Sequence, residues 1–137
     1  MDELILQYGI REICAKLDSG EKKLVEDVSF EISAGESLAL IGETGSGKTM
    51  TAQSIMGTLP RNVRTEGASI LLCGQPLPAG RKLRAMLGRE IVYVPQNGHE
   101  FLNPSRTVWK HMVDGLKRMD CPVSERRAEA CRLLALA

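Results

Sequence analysis

The chain has 137 residues, 43% of them hydrophobic, which is enough apolar material for one domain with a buried core. Its net charge of +1 argues against a surface devoted to nucleic acid, and no apolar run approaches the roughly 18 residues that a membrane-spanning helix needs. The acidic start at residues 1–4 does not resemble a secretion signal, and the four cysteines lack CxxC spacing, so we expect a globular cytosolic protein without a disulfide framework or zinc site.

The first predicted elements are two strands and a helix. Leu24–Ile32 alternates apolar and polar side chains, which predicts a strand with one exposed face. Ser37–Ile41 is a short, nearly continuous apolar run, and we interpret it as a parallel strand buried on both faces. Lys48–Met56 favours a helix that ends at Gly57. The last two elements flank a glycine-rich segment, which gives the order strand, loop, helix.

The remaining elements are predicted from shorter signals. Ser69–Cys73 and Glu90–Val94 are apolar runs stopped by glycine and proline, and both predict strands. Between them, Arg81–Leu87 predicts a short helix. Thr107–Met119 and Glu125–Leu136 carry apolar stripes at helical spacing, so the chain is expected to end in two helices. Strands followed by helices around a glycine-rich loop indicate an α/β fold.

The glycine-rich segment Gly42–Thr49 fits the phosphate-loop pattern GxxxxGK[ST]. Its glycines allow successive backbone N–H groups to face one concavity, where the following helix dipole adds attraction for phosphate. Lys48 would bring its charge to the β- and γ-phosphates, and the Thr49 hydroxyl could coordinate Mg²⁺. A plain turn between a strand and a helix is the alternative, but this pattern arises by accident in roughly one such chain in a few hundred. We therefore predict that ATP with Mg²⁺ binds at Gly42, Glu43, Thr44, Gly45, Ser46, Gly47, Lys48, Thr49 and Met50.

The residues around the phosphate loop indicate which family of phosphate-loop proteins the chain resembles. Leu24–Glu36, immediately ahead of the loop, resembles the antiparallel strands that lead into the Walker A motif of ABC transporter ATPases. Gln96, at the end of VYVPQ, looks like the Q-loop glutamine of the same family. An amide can bind Mg²⁺ or orient a water without repelling phosphate. The resemblance therefore implies catalytic roles for Lys48 and Gln96, and Mg²⁺ contacts for Thr49 and Gln96.

Two further stretches indicate which subfamily of these ATPases the chain resembles. Gln96–Val108 is similar to the Q-loop extension of the oligopeptide, dipeptide and nickel importer ATPases, and Met56–Arg64 looks most like the nickel branch. The resemblance implies that the loop after Gln96, with His99 and Phe101, contacts a membrane permease. It also implies a second ATPase subunit, an indirect link to an extracytoplasmic substrate-binding protein, and a location on the cytoplasmic face of the membrane.

The fold that the resemblance implies is a P-loop NTPase core of the ABC type with an amino-terminal antiparallel sheet. Residues 1–104 would form the nucleotide-binding core, and residues 105–137 the start of a helical subdomain. Only the amino-terminal portion of such a domain is expected here, because the signature motif, the Walker B acids and the switch histidine of the family are absent from the sequence.

The adenine contact departs from the family pattern. Many such ATPases end the first strand with an aromatic residue, but Ile13–Leu17 contains none, and Tyr8 lies too early in the chain. We therefore expect adenine to rest on Ile13 or Val25.

Two functions remain open. The chain represents the ATP-hydrolysing subunit of a peptide or nickel importer, or, taken by itself, a module that binds nucleotide or docks on a permease without turnover.

Overall fold

A computed structural model of the chain describes residues 3–98 and 102–136. The chain forms two compact units, residues 1–84 and residues 85–137. The first contains a β-sheet and the glycine-rich loop, and the second is mainly helical. The subdomain boundary expected at residue 104 concerns a complete domain of the family and stays a prediction.

The first unit is built on a long antiparallel hairpin of β1 (Leu4–Leu17) and β2 (Gly20–Ser33). In β2 the apolar residues that follow Asp27 are more covered than their polar neighbours, and this confirms the strand predicted over Leu24–Ile32. In β1, by contrast, three consecutive residues, Ile13 to Ala15, are buried, and the pairing register shifts between Ile13 and Cys14. This irregularity explains why a period-two pattern did not reveal β1.

Three short strands complete the sheet. They are β3 (Val63–Glu66) and β4 (Ser69–Leu72), which both pair with β1, and β5 (Gln75–Pro76), which pairs with β4. Every pairing in the sheet is antiparallel. The prediction of a strand at Ser69–Cys73 is confirmed to within one residue, whereas β3 and β5 were not predicted.

Helix α1 (Lys48–Met56) covers the sheet and has the bounds predicted for it. The buried core of this unit consists of Tyr8, Ile10 and Ile13 from β1 and Val25 from β2. Side chains of α1, among them Met50 and Ile55, pack against that core together with residues from β2, β3 and β4. The sheet therefore fixes the helix that follows the glycine-rich loop.

Three further helices follow: α2 (Gly80–Met86), α3 (Val108–Arg118) and α4 (Arg126–Leu136). They confirm the three predicted helices to within one residue at each end. Thr107 caps α3, because its hydroxyl accepts a hydrogen bond from the Lys110 N–H at 3.3 Å. Among the helices of the described residues, none is long and apolar enough to cross a lipid bilayer.

The strand predicted at Ser37–Ile41 is wrong. These residues form no ladder, and Leu38, Leu40 and Ile41 are 42%, 41% and 93% exposed. A parallel strand depends on hydrogen bonds to neighbouring strands, and within the described ranges 3–98 and 102–136 no strand pairs with this segment.

The strand predicted at Glu90–Val94 is wrong for the same reason. Only an isolated bridge between Leu87 and Ile91 forms there, and Val92 and Val94 are 69% and 84% exposed. An apolar run predicts a strand only where a partner supplies the other half of the ladder.

Candidate phosphate-binding site

The glycine-rich loop forms a tight turn between the segment that ends at Ile41, which has no regular secondary structure, and helix α1. Gly45 and Gly47 adopt left-handed backbone conformations with φ of 87° and 92°, which residues with a side chain rarely adopt. The Ser46 N–H donates to the Glu43 carbonyl at 3.2 Å and closes the turn. A Cβ on Gly42 would lie 2.7 Å from the Ser46 hydroxyl, so a larger residue there would displace the Ser46 side chain.

Gly47 is the N-cap of helix α1, and its carbonyl accepts the first hydrogen bonds of the helix. The Thr51 N–H donates to this oxygen at 2.9 Å, and the Thr51 hydroxyl donates to it at 3.2 Å. No acidic residue lies in the first turn of α1, so the positive end of the helix dipole is not neutralised within the helix. The helix N-terminus therefore offers N–H donors and positive potential to an anion.

Lys48 is held by the loop itself. Its ammonium donates to the Gly42 carbonyl at 2.8 Å, to the Glu43 carbonyl at 2.6 Å and to the Ser46 hydroxyl at 3.3 Å. These three contacts match the three donors of an ammonium group. The structure therefore brings Lys48 together with the loop atoms that the sequence analysis assigned to phosphate binding.

The sheet contacts the loop at Gly47. A Cβ on Gly47 would lie 2.4 Å from the Val25 side chain and 3.0 Å from the Leu24 carbonyl oxygen. Strand β2 therefore approaches the loop at Leu24 and Val25 so closely that only glycine fits at position 47. The sequence indicated the glycine but not its neighbour, because the two residues are far apart in the chain.

A chain of hydroxyl groups also joins the sheet to α1. The Tyr8 hydroxyl lies 2.8 Å from the Ser54 hydroxyl, which donates to the Thr51 carbonyl at 2.7 Å. Tyr8 and Thr51 are each only 3% exposed. The sequence analysis did not identify these residues as part of the site; the polar residues at Thr51 and Ser54 in a sheet-facing helix were the available signal.

The adenine contacts expected from Ile13 or Val25 are wrong, because both side chains are buried. Ile13 is 0% exposed and lies in the core, so its side chain offers no surface to a base. Val25 is 7% exposed and packs against Gly47. Tyr8 is 3% exposed and stacks on the half-buried Phe30 with ring centroids 4.7 Å apart. Burial therefore excludes Ile13, Val25 and Tyr8 from stacking on a nucleotide base.

Gln96 belongs to the second unit, where it is exposed in a turn that follows Pro95. Lys48 and Thr49 belong to the first unit, so their shared role with Gln96 remains a prediction. His99 and Phe101, expected at a permease contact, lie outside the described residues.

The described residues hold no cluster of three or more histidine, cysteine or acidic side chains that could bind a metal ion. The four cysteines are free thiols: Cys14 is buried, Cys121 is half-buried, and Cys73 and Cys131 are exposed. Thr49, the expected Mg²⁺ ligand, is exposed at the first turn of α1. A hydroxyl there suits an ion that arrives with phosphate and keeps most of its own water.

Left-handed glycines, a lysine at the start of a helix and a free helix N-terminus define a P-loop nucleotide-binding domain. Comparison with known protein families extends this assignment. The sequence pattern of the ABC transporter family matches residues 25–136. The chain therefore belongs to the ABC transporter family.

Several curated proteins are similar in sequence to this chain. A nickel import ATP-binding protein NikD of Rhodospirillum rubrum is 36% identical over 122 residues, which cover 89% of this chain and 44% of that protein. A metal-staphylopine import system ATP-binding protein CntD of Staphylococcus aureus is 37% identical, covering 71% of this chain and 36% of that protein. A putative peptide import ATP-binding protein of Brucella abortus is 35% identical, covering 82% and 35%. The chain spans less than half the length of each relative.

Proposed function

We propose that the chain is the amino-terminal portion of an ATP-binding subunit that couples ATP hydrolysis to uptake of nickel or peptides through a membrane permease. The observation that carries the proposal is the loop Gly42–Thr49, in which two left-handed glycines, the Lys48 ammonium and the start of α1 converge. The relatives that bear import names support the substrate class.

In this proposal each residue of the loop has a defined task. The N–H groups between Gly42 and Thr49 would cradle the phosphates, and Lys48 would exchange its loop carbonyls for β- and γ-phosphate oxygens. Thr49 and Gln96 would contact the Mg²⁺ that accompanies ATP, and Met50, which follows Thr49 in the first turn of α1, would lie next to the nucleotide. Mg²⁺ would neutralise phosphate charge when bound. The loop fits the phosphates, because it offers N–H donors and no acidic residue in the first turn of α1 repels them. The Thr49 hydroxyl fits Mg²⁺, because it supplies an oxygen ligand.

The partners are proposed on the same basis. The loop after Gln96, including His99 and Phe101, would contact a permease, and a second ATPase subunit would supply the other side of the nucleotide site. The protein would then act on the cytoplasmic face of the membrane, in indirect contact with an extracytoplasmic substrate-binding protein.

The proposal is tested by titrating the purified chain with a fluorescent ATP analogue, with and without Mg²⁺. We expect saturable binding that Mg²⁺ strengthens. Lys48→Ala should weaken binding roughly tenfold to a hundredfold, because a charge-assisted hydrogen bond to phosphate is lost. Lys22→Ala, at an exposed site on β2, is the matched control and should bind like the wild type. No binding by a folded wild-type chain would contradict the proposal.

A second candidate treats the 137 residues by themselves as a module that binds nucleotide or docks on a permease without turnover. The sequence offers no paired acids at the end of an apolar run that could activate water. Phosphate release by the purified chain separates the two candidates. Release that disappears in Lys48→Ala would establish turnover, and binding without release would favour the module.

A further inference from the structure

The hydroxyl chain between the sheet and the phosphate loop has no role in the function proposed above. The Tyr8 hydroxyl of β1 contacts the Ser54 hydroxyl of α1, Ser54 donates to the backbone carbonyl of Thr51, and the Thr51 hydroxyl donates in turn to the Gly47 carbonyl. Both hydrogen bonds beyond Tyr8 stay within one helix, whereas the first joins residues 46 positions apart. The first bond is therefore the tertiary contact on which the chain of hydroxyls depends.

The direction of each hydrogen bond follows from the number of protons available. Ser54 has one hydroxyl proton and donates it to the Thr51 carbonyl, so Tyr8 must be the donor to Ser54. Burial raises the pKa of the Tyr8 phenol above its ordinary value of 10.0, which keeps this proton in place at neutral pH. Phe30 stacks on the Tyr8 ring with an interplanar angle of 18° and limits its rotation. The donor is therefore both protonated and held in one orientation.

The end of the chain is the peptide that matters for phosphate. Thr51 donates twice to the Gly47 carbonyl, from its backbone and from its side chain. Val25 closes the other side of Gly47. The same peptide unit carries the Lys48 N–H, at the N-terminus of α1 where a phosphate would be bound.

We propose that Tyr8 is a positioning residue for the phosphate loop: through Ser54 and Thr51 it fixes the Gly47–Lys48 peptide. This inference rests on the proposed function, since positioning matters for a loop that binds nucleotide. Loss of the Tyr8 hydroxyl should leave the fold intact but let this peptide reorient. The affinity for ATP should then fall about threefold to tenfold, the equivalent of one hydrogen bond.

Binding measurements on the full chain test the proposal. Tyr8→Phe and Ser54→Ala should each raise the Kd for ATP about threefold to tenfold. The Kd of the double variant should not exceed that of the single variant that binds ATP more weakly, because both changes remove the same hydrogen bond between Tyr8 and Ser54. Thr58→Val is the matched control: its hydroxyl also donates to a helix carbonyl, that of Gln53 at 3.5 Å, but at the opposite end of α1. This control should retain the wild-type Kd.

A spectroscopic measurement separates positioning from general destabilisation. Gly47 is the one glycine of the 13 that precedes a lysine. Labelling glycine carbonyls with ¹³C and lysine nitrogens with ¹⁵N therefore gives a single correlated NMR signal, which reports the Gly47–Lys48 peptide. We expect Tyr8→Phe and Ser54→Ala to shift this signal in the same direction, and Thr58→Val to leave it in place.

Each outcome decides the matter. A folded Tyr8→Phe variant with an unshifted signal would overturn the proposal, as would strictly additive losses of affinity in the double variant. A lower number of binding sites at an unchanged Kd would indicate partial unfolding and also count against positioning. If the wild type binds no nucleotide, the proposed function fails, and the NMR signal alone then decides whether Tyr8 positions the peptide.

Discussion

The hairpin of β1 and β2 and the segment Ser37–Ile41 both contain runs of apolar residues. These residues are buried in the hairpin and exposed in the segment. Ile13 of β1 is 0% exposed, whereas Ile41 is 93% exposed. β1 has strand partners on both edges and α1 packed over its core residues. Ser37–Ile41 has no ladder partner in the part of the chain that the structure describes. Apolar composition therefore produces burial only where pairing brings a second surface.

We expect the largest loss of stability when the contact between the sheet and the phosphate loop is disturbed. Gly47→Ala places a methyl group 2.4 Å from the Val25 side chain at a φ of 92°. We expect a loss of about 4 kcal/mol in the free energy of unfolding, about 1–2 from the left-handed backbone and about 1–3 from overpacking. Denaturant unfolding would measure this loss.

Gly74→Ala is the matched control for this change. Gly74 has a φ of 73° but open space within 4 Å of the Cβ position. The control should lose only the backbone contribution, about 1–2 kcal/mol. Equal losses in the two variants would show that the contact between Val25 and Gly47 contributes nothing.

Two isoleucine substitutions test the difference between the buried hairpin and the exposed segment. Ile13→Ala should lower the free energy of unfolding by about 3 kcal/mol, because it removes buried methyl groups and leaves a cavity. Ile41→Ala should change it by less than about 0.5 kcal/mol, because the side chain is already in water. Chemical denaturation of both variants under one set of conditions checks the difference. A large loss in Ile41→Ala would mean that the segment is covered in solution.

Local signals sufficed for much of this structure. The helix Lys48–Met56 was predicted with its observed bounds because a glycine-rich loop precedes it and Gly57 ends it. The loop residues from Gly42 to Thr49 were named from one pattern, since their chemistry depends on spacing within eight adjacent residues. The strand within β2 was predicted because its apolar and polar side chains alternate in sequence and, after Asp27, also in burial.

The wrong predictions and the missed contacts share a physical cause. Ser37–Ile41 and Glu90–Val94 required knowledge of a pairing partner, which an apolar run does not contain. The link from Tyr8 to Ser54 and the packing of Val25 on Gly47 join residues that are distant in sequence. The expectation that Ile13 faces adenine was wrong. Its burial depends on α1 and the neighbouring strands, which its own segment of sequence does not reveal.

The smallest expected effect lies on the surface of the same hairpin. Glu12 of β1 accepts a hydrogen bond from the Lys23 ammonium of β2 at 2.9 Å, and this contact lowers the pKa of Glu12 below its ordinary value of 4.5. A lowered pKa stabilises the fold above pH 4.5, and this stability is lost as the pH falls through the folded-state pKa. Glu12→Gln should therefore lower the Tm slightly at pH 7, and the two Tm values should converge at about pH 2, where the carboxyl is neutral in both states. Thermal unfolding followed by circular dichroism at both pH values measures the difference. A Tm difference that persists unchanged at low pH would assign the effect to packing of the side chain and not to the charge that joins β1 to β2.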